Sequence, residues 1–254
     1  MTGLIRAEGL KLFKRLPFWV MGLLLVFFVG VSALVLVVLP RVAPDAFGEI
    51  PFIPGDQAIT LGLQTAIGQT WFPAILAAVM VGGEVGSAIW PSDLAREARR
   101  WMHVLAKLVV LTAAATLAIA TSAVVWIVLV AISADTFSWP AMGEWLSLAW
   151  KAVVVEGTWV ALGIGAVGLF RSIGPAIGAV LGLNLGDGFL SLWGPWANIS
   201  PSANQTAMLG EMADLGAGFG TSADIPMARA TLVVVAWAVA ATIVAVAGLM
   251  LRDP

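Results

Sequence analysis

Six stretches of this chain are long and apolar enough to cross a lipid bilayer, and no other feature constrains its fold as strongly. A spanning helix needs roughly 20 predominantly apolar residues. Such runs fall at about 17–39, 61–83, 103–132, 145–170, 173–192 and 230–251. The third and fourth exceed the minimum and are expected to tilt or to project beyond the lipid. Composition agrees with the spacing. Charged residues make up 11% of the 254 and hydrophobic residues 60%, whereas soluble domains carry roughly a quarter charged residues. Water would be a poor solvent for such a surface, so the expected fold class is all-α integral membrane, a single domain over 1–254.

The opening charges and apolar run look like a leader peptide. The run from Phe18 to Leu39 is longer than a leader's core and no small-x-small cleavage site follows it, so it is expected to stay as the first span. An even number of spans puts both termini on one side. That side would hold Arg6, Lys11, Lys14, Arg15, Arg96, Arg99, Arg100, Lys107, Arg171 and Arg252, and the other Arg41, Lys151 and Arg229. By the positive-inside rule the termini are expected to be cytoplasmic. Trp139, Trp145, Trp193 and Trp196 then fall at the outer interface, and Trp19, Trp90 and Trp101 at the inner one.

Three segments are not simple spans. Residues 3–16 mix Leu4, Ile5, Leu12 and Phe13 with charges at helical spacing, ahead of Pro17. An amphipathic helix in the membrane interface fits this pattern, as does an ordinary charged flank. Between spans two and three, Pro91 and Ser92 open a short charged run. Asp93 lies early in it and Arg99 and Arg100 late, as a helix dipole favours. Asp93–Arg96 and Glu97–Arg100 sit at i,i+3. This is a docking helix for a soluble partner or a solvated turn. Beyond span five, 193–209 is too broken by Gly and Pro for a span and too apolar for a plain loop. It is a re-entrant or surface-lying helix, or an external loop.

Ionisable and polar groups within spans are functional candidates. Glu84 ends span two, Asn184 and Asp187 lie in the outer half of span five, and Glu156 lies deep in span four. Boundary positions let Glu84 and Asp187 reach polar surroundings. Glu156 must face the bundle interior or a wet cavity, meeting a substrate, Lys151 or another helix. Catalytic constellations are missing. None of Lys11, Lys14, Lys107 and Lys151 belongs to a Gly-rich phosphate-binding loop, so the chain is not expected to hydrolyse ATP. His103 is a lone histidine at a span end, there is no cysteine, and no acidic cluster suits a metal. No basic tail suits a nucleic acid. No catalytic, cofactor or metal residue is therefore assigned.

The run Glu8-Gly9-Leu10-Lys11-Leu12-Phe13-Lys14-Arg15-Leu16-Pro17-Phe18-Trp19 resembles the elbow helix of type-2 ATP-binding-cassette exporter permeases. Glu84, Arg100 and Lys107 match that family's Glu ending span two, its Arg and the Lys entering span three, although Ala88-Ile89-Trp90 stands near the place of its Gly-Thr pair. The stretch around Pro201 is also similar. The resemblance implies a permease of a bacterial or archaeal inner membrane, paired with an identical or similar permease and bound to two ATPase subunits that carry ATP and Mg. The helix near Pro91–Arg100 would be the coupling helix, with Trp90, Asp93, Arg96, Glu97, Arg99 and Arg100 at the docking surface. Glu84 and Arg100 would brace its junction with span two. The implied cargo is amphiphilic: a peptide antibiotic, a lipid or a drug. The alternative of a different class is a membrane anchor or assembly subunit that moves nothing.

Overall fold

The computed structural model describes residues 1–43, 45, 55–87, 101–133, 138–210 and 225–250. These residues are all-helical, without a strand among them. Six helices are long and apolar enough to cross a membrane: Leu16–Val42, Gln57–Val85, Trp101–Ser133, Met142–Phe170, Ile173–Leu190 and Met227–Met250. They coincide with the six expected runs, and the third and fourth are indeed long, at 33 and 29 residues.

The N-terminal helix α1 spans Thr2–Phe13. It stops short of residue 16 because Arg15 is extended and Leu16 already begins the next helix, α2, over Leu16–Val42. Pro17 sits in the first turn of α2, where its missing N–H costs nothing. Phe13, Phe18 and Trp19 pack edge-on at this corner, with centroids of Phe13 and Phe18 5.4 Å apart. Trp19 Nε1 donates to the Phe13 carbonyl at 2.9 Å. Near its far end α2 loosens into a π-turn at Leu34–Val38. Pro40 lies just beyond, and its ring cannot accept a normal α-turn against the carbonyl four residues back.

Span two is two helices, α3 (Gly55–Ile67) and α4 (Trp71–Val85), where a continuous run was expected. Pro73 lacks the N–H that would bond the Gln69 carbonyl, and the Phe72 N–H takes that carbonyl instead at 3.0 Å. The third, fourth and fifth spans are α5 (Trp101–Ser133), α6 (Met142–Phe170) and α7 (Ile173–Leu190). The turn from α6 to α7 is abrupt. Arg171 adopts a left-handed conformation, φ 51°, and its N–H donates to the Val167 carbonyl at 2.7 Å. Two short helices follow, α8 (Gly194–Ala197) and α9 (Pro201–Leu209), and then α10 (Met227–Met250).

Helix α6 is the hub. It packs against α4, α5, α7 and α10. Small residues allow close approach, as is usual between helices in lipid. A Cβ on Gly248 of α10 would lie 2.3 Å from the Gly168 carbonyl oxygen of α6, and one on Gly163 would lie 2.4 Å from that of Ala74 in α4. Large apolar side chains such as Leu23, Phe27, Leu117, Val124, Leu232 and Ile243 point outward instead, the pattern that a hydrocarbon surround stabilises.

Candidate functional site

At the end of the bundle that holds the N-terminus lies a chain of charges whose centre is closed off from solvent. Lys107, near the start of α5, bridges two carboxylates. Its Nζ lies 2.5 Å from Glu8 Oε2 and also contacts Glu84 Oε2. The second oxygen of Glu84 takes Arg15 Nη2 at 2.7 Å, and the second oxygen of Glu8 takes Lys11 Nζ at 3.1 Å. Arg15 Nη1 also donates to the Met80 carbonyl at 3.1 Å. The network ties α1, α4 and α5 together, with Glu84 in the last turn of α4 and Lys107 in the second turn of α5. Glu8, Glu84 and Lys107 are all buried, at 5%, 3% and 4% exposure. Burial raises the Glu8 pKa, but Lys107 and Lys11 together lower it further, so this carboxyl sits below its ordinary value.

Sequence reasoning placed Glu84 at a boundary, either snorkelling or bracing, with Arg100, the junction of span two and the coupling helix. The structure corrects the first: Glu84 is buried against Lys107 and Arg15. On α1, Leu12 of the expected apolar face is buried and Ile5 packs partly against the core, Glu8 turns inward beside them, and Phe13 is exposed. The buried ammonium of Lys107 demands carboxylates more strongly than the core demands one more leucine. Glu8 and Arg15 were legible only as parts of a motif. Trp90, Asp93, Arg96, Glu97, Arg99 and Arg100 lie outside the described residues.

A second polar region lies between the end of α7 and the two short helices that follow it. Asp187, near the end of α7, is 1% exposed. It accepts Trp196 Nε1 at 2.6 Å, Ser200 Oγ at 2.8 Å and the Ser202 N–H at 2.8 Å. It therefore caps the start of α9 and is no snorkelling boundary residue. Ser200 Oγ in turn accepts the Ala203 N–H at 2.9 Å, a normal N-cap. Two tryptophans tie α8 and α9 to the spans. Trp159 of α6 donates to Gln205 Oε1 at 2.9 Å, and Trp237 of α10 donates to the Ile199 carbonyl at 2.7 Å. Trp237 comes ten residues after Met227, so this anchor lies about 15 Å along its helix. Of the alternatives for 193–209, helix rather than plain loop is observed, as α8 and α9 packed on the spans. Asn184 pairs with Thr70 Oγ1 at 2.6 Å, joining α7 to the break in span two.

Glu156 is wholly buried in α6, and neither carboxylate oxygen has a hydrogen-bond partner. Pairing with Lys151 is not seen. Five residues along a helix turn the side chain by about 140° onto another face. Gln64, Trp159, Asn204 and Gln205 escaped sequence reasoning, since neutral polar residues in apolar runs carry no periodic signal. His103 is buried with Nε2 unpartnered. Among the described residues no three His, Cys, Asp or Glu side chains group as metal ligands. No protein-family profile and no curated protein matches the chain.

Proposed function

We propose that the chain is the membrane-spanning subunit of an ATP-driven exporter of the ATP-binding-cassette type, with both termini cytoplasmic and ATP hydrolysed on a separate subunit. One observation carries this reading. Lys107 and Glu84 hold together the two ends of the connection between spans two and three, and Glu8 and Arg15 lock α1 onto the same point. A partner pulling on the charged run 91–100 would act on a rigid junction rather than on two loose helix ends. Force applied there is transmitted to α4 and α5, as a device driven from outside the membrane needs. The many Lys and Arg residues assigned to that side agree with a cytoplasmic engine.

An amphiphilic cargo suits the surfaces available. An open groove of about 830 Å³ runs between α5, α6 and α10, with apolar walls that include Leu108, Val109, Leu117 and Val153. An acyl or other apolar tail fits such walls. A second permease chain completes the pathway in this reading.

The test is affinity capture of the detergent-solubilised protein from its host, beside a variant carrying Arg96→Glu, Arg99→Glu and Arg100→Glu. Recovery of an ATP-binding-cassette ATPase with the natural chain and its loss with the variant supports the proposal. Absence of any ATPase, under conditions that retain other membrane complexes, favours the anchor or assembly role instead.

A further inference from the structure

We propose that the outer face of α1 selects anionic phospholipids at the membrane surface, with Arg6 and Lys14 as the contacts to their headgroups. The proposal does not depend on the transporter reading and requires only that the chain spans a bilayer.

The fold sorts the charges of this segment. Residues 1–20 carry Arg6, Lys11, Lys14 and Arg15 against one carboxylate, Glu8. Glu8 is buried and takes Lys107 and Lys11, and Arg15 takes Glu84. Arg6 and Lys14 are left over. Both are exposed, and among the described residues neither has an ion-pair or hydrogen-bond partner. Lys14 is the C-cap of α1 and keeps right-handed helical backbone, so it follows the turn of the helix. With 3.6 residues per turn, Arg6, Leu10, Phe13 and Lys14 fall within about 100° of one another around the axis. Glu8 and Leu12 lie on the opposite side, buried. The one acid of the segment is thereby withdrawn from the outer face, and two positive charges stand there uncancelled.

Continuity of the apolar surface makes the occupant a lipid rather than a soluble protein. Leu10 and Phe13 are exposed between the two cations. The Phe13 ring lies 6.2 Å from that of Trp19, whose indole N–H donates to the Phe13 carbonyl. Trp19 in turn begins an exposed row on α2 that continues through Leu23 and Phe27 at i, i+4 and i+8. That row suits hydrocarbon, and it passes onto α1 at the aromatic corner without a break. A helix bearing apolar side chains and long cationic ones on the same face sits at the boundary of headgroups and acyl chains, with the aliphatic stems in the apolar layer and the charges at headgroup level. A zwitterionic headgroup already cancels its own phosphate. An anionic one does not, so two unpaired cations favour it.

The experiment uses the full chain reconstituted in phosphatidylcholine bilayers with a trace of spin-labelled lipid. Electron spin resonance separates lipid restricted at the protein surface from mobile bulk lipid, and the restricted fraction of phosphatidylglycerol is compared with that of phosphatidylcholine. The expected result is a saturable excess of phosphatidylglycerol that high salt removes. Each cation near a charged surface is worth about a fivefold preference. Arg6→Gln or Lys14→Gln alone should therefore weaken the association about fivefold, and the two together should abolish the excess. Arg6→Lys combined with Lys14→Arg keeps the charge and should keep the preference. The proposal is overturned if the natural chain restricts both lipids equally, if the doubly neutralised chain retains the natural preference, or if the charge-conserving pair loses it.

Discussion

Replacing Lys107 by Met tests whether the charge network holds the N-terminal end of the bundle together. Met matches the length of Lys and removes only the ammonium, so packing is conserved. Two buried carboxylates then lose their shared partner. Lys11, whose side chain is 36% exposed, offers Glu8 little compensation, since such a pair is worth at most about 1 kcal/mol. Arg15 still holds one oxygen of Glu84. Breaking a buried pair from one side costs about 3–5 kcal/mol, because the remaining charge is stranded. A chain of this size loses roughly 2–4 °C per kcal/mol, so the melting temperature should fall by about 10 °C. The assay is thermal unfolding of Lys107→Met in nanodiscs, followed by intrinsic tryptophan fluorescence. Adding Glu84→Gln to Lys107→Met should recover part of the loss, since a neutral amide replaces a stranded charge. A melting temperature within about 2 °C of the natural chain, or simple additivity of the two substitutions, would refute the reasoning.

Acid should act through the same network. The Glu8 carboxyl is lowered below its ordinary value, so its contribution is present above that value and is lost as pH falls through the lowered one. Melting temperature against pH should therefore drop more steeply on acidification in the natural chain than in Glu8→Gln. Gly248→Ala should destabilise by about 1–3 kcal/mol through overpacking, because its Cβ would meet the Gly168 carbonyl oxygen at 2.3 Å. Gly174→Ala, with nothing within 4 Å, is the matched control in the same melt. Asp187→Ala removes the acceptor for three donors. It should cost about 2–4 kcal/mol and raise protease sensitivity near residues 196–204.

The spans were legible because length and hydropathy leave a chain in lipid few choices. Breaks within them were not. Gly68 and Pro73 sit in a run apolar enough to read as one helix, yet the bonding turns irregular at Gly68–Thr70 and Pro73 offers no N–H to the Gln69 carbonyl. The depth of Glu156 was readable from its position within span four. Its lack of a partner was not, since that depends on which side chains the neighbouring helices turn toward it. Glu84 and Lys107 were readable as a motif, but Glu8 came to the same point from 99 residues away from Lys107. Pairing at that separation leaves no periodic trace in one sequence. Asp187 misled for a related reason. A carboxylate near a span end is ordinarily free to reach water, and here the start of α9 is folded over it.

The two buried polar regions are far apart, and that distance gives them diagnostic value. Gly163 meets Ala74, which lies ten residues from Glu84 along α4. Glu156 lies seven residues from Gly163 in the opposite sense along α6. At 1.5 Å per residue the separation along the bundle is about 25 Å. Substitutions at Glu84 and Glu156 share no partner over that distance, so their effects on folding stability should add. A membrane anchor requires nothing more of them. A conduit driven from the charged end does, because movement of α4 and α5 must alter the surroundings of Glu156 for work to be done there. Additive stabilities combined with non-additive effects on function distinguish a driven path from a passive scaffold, whatever the cargo.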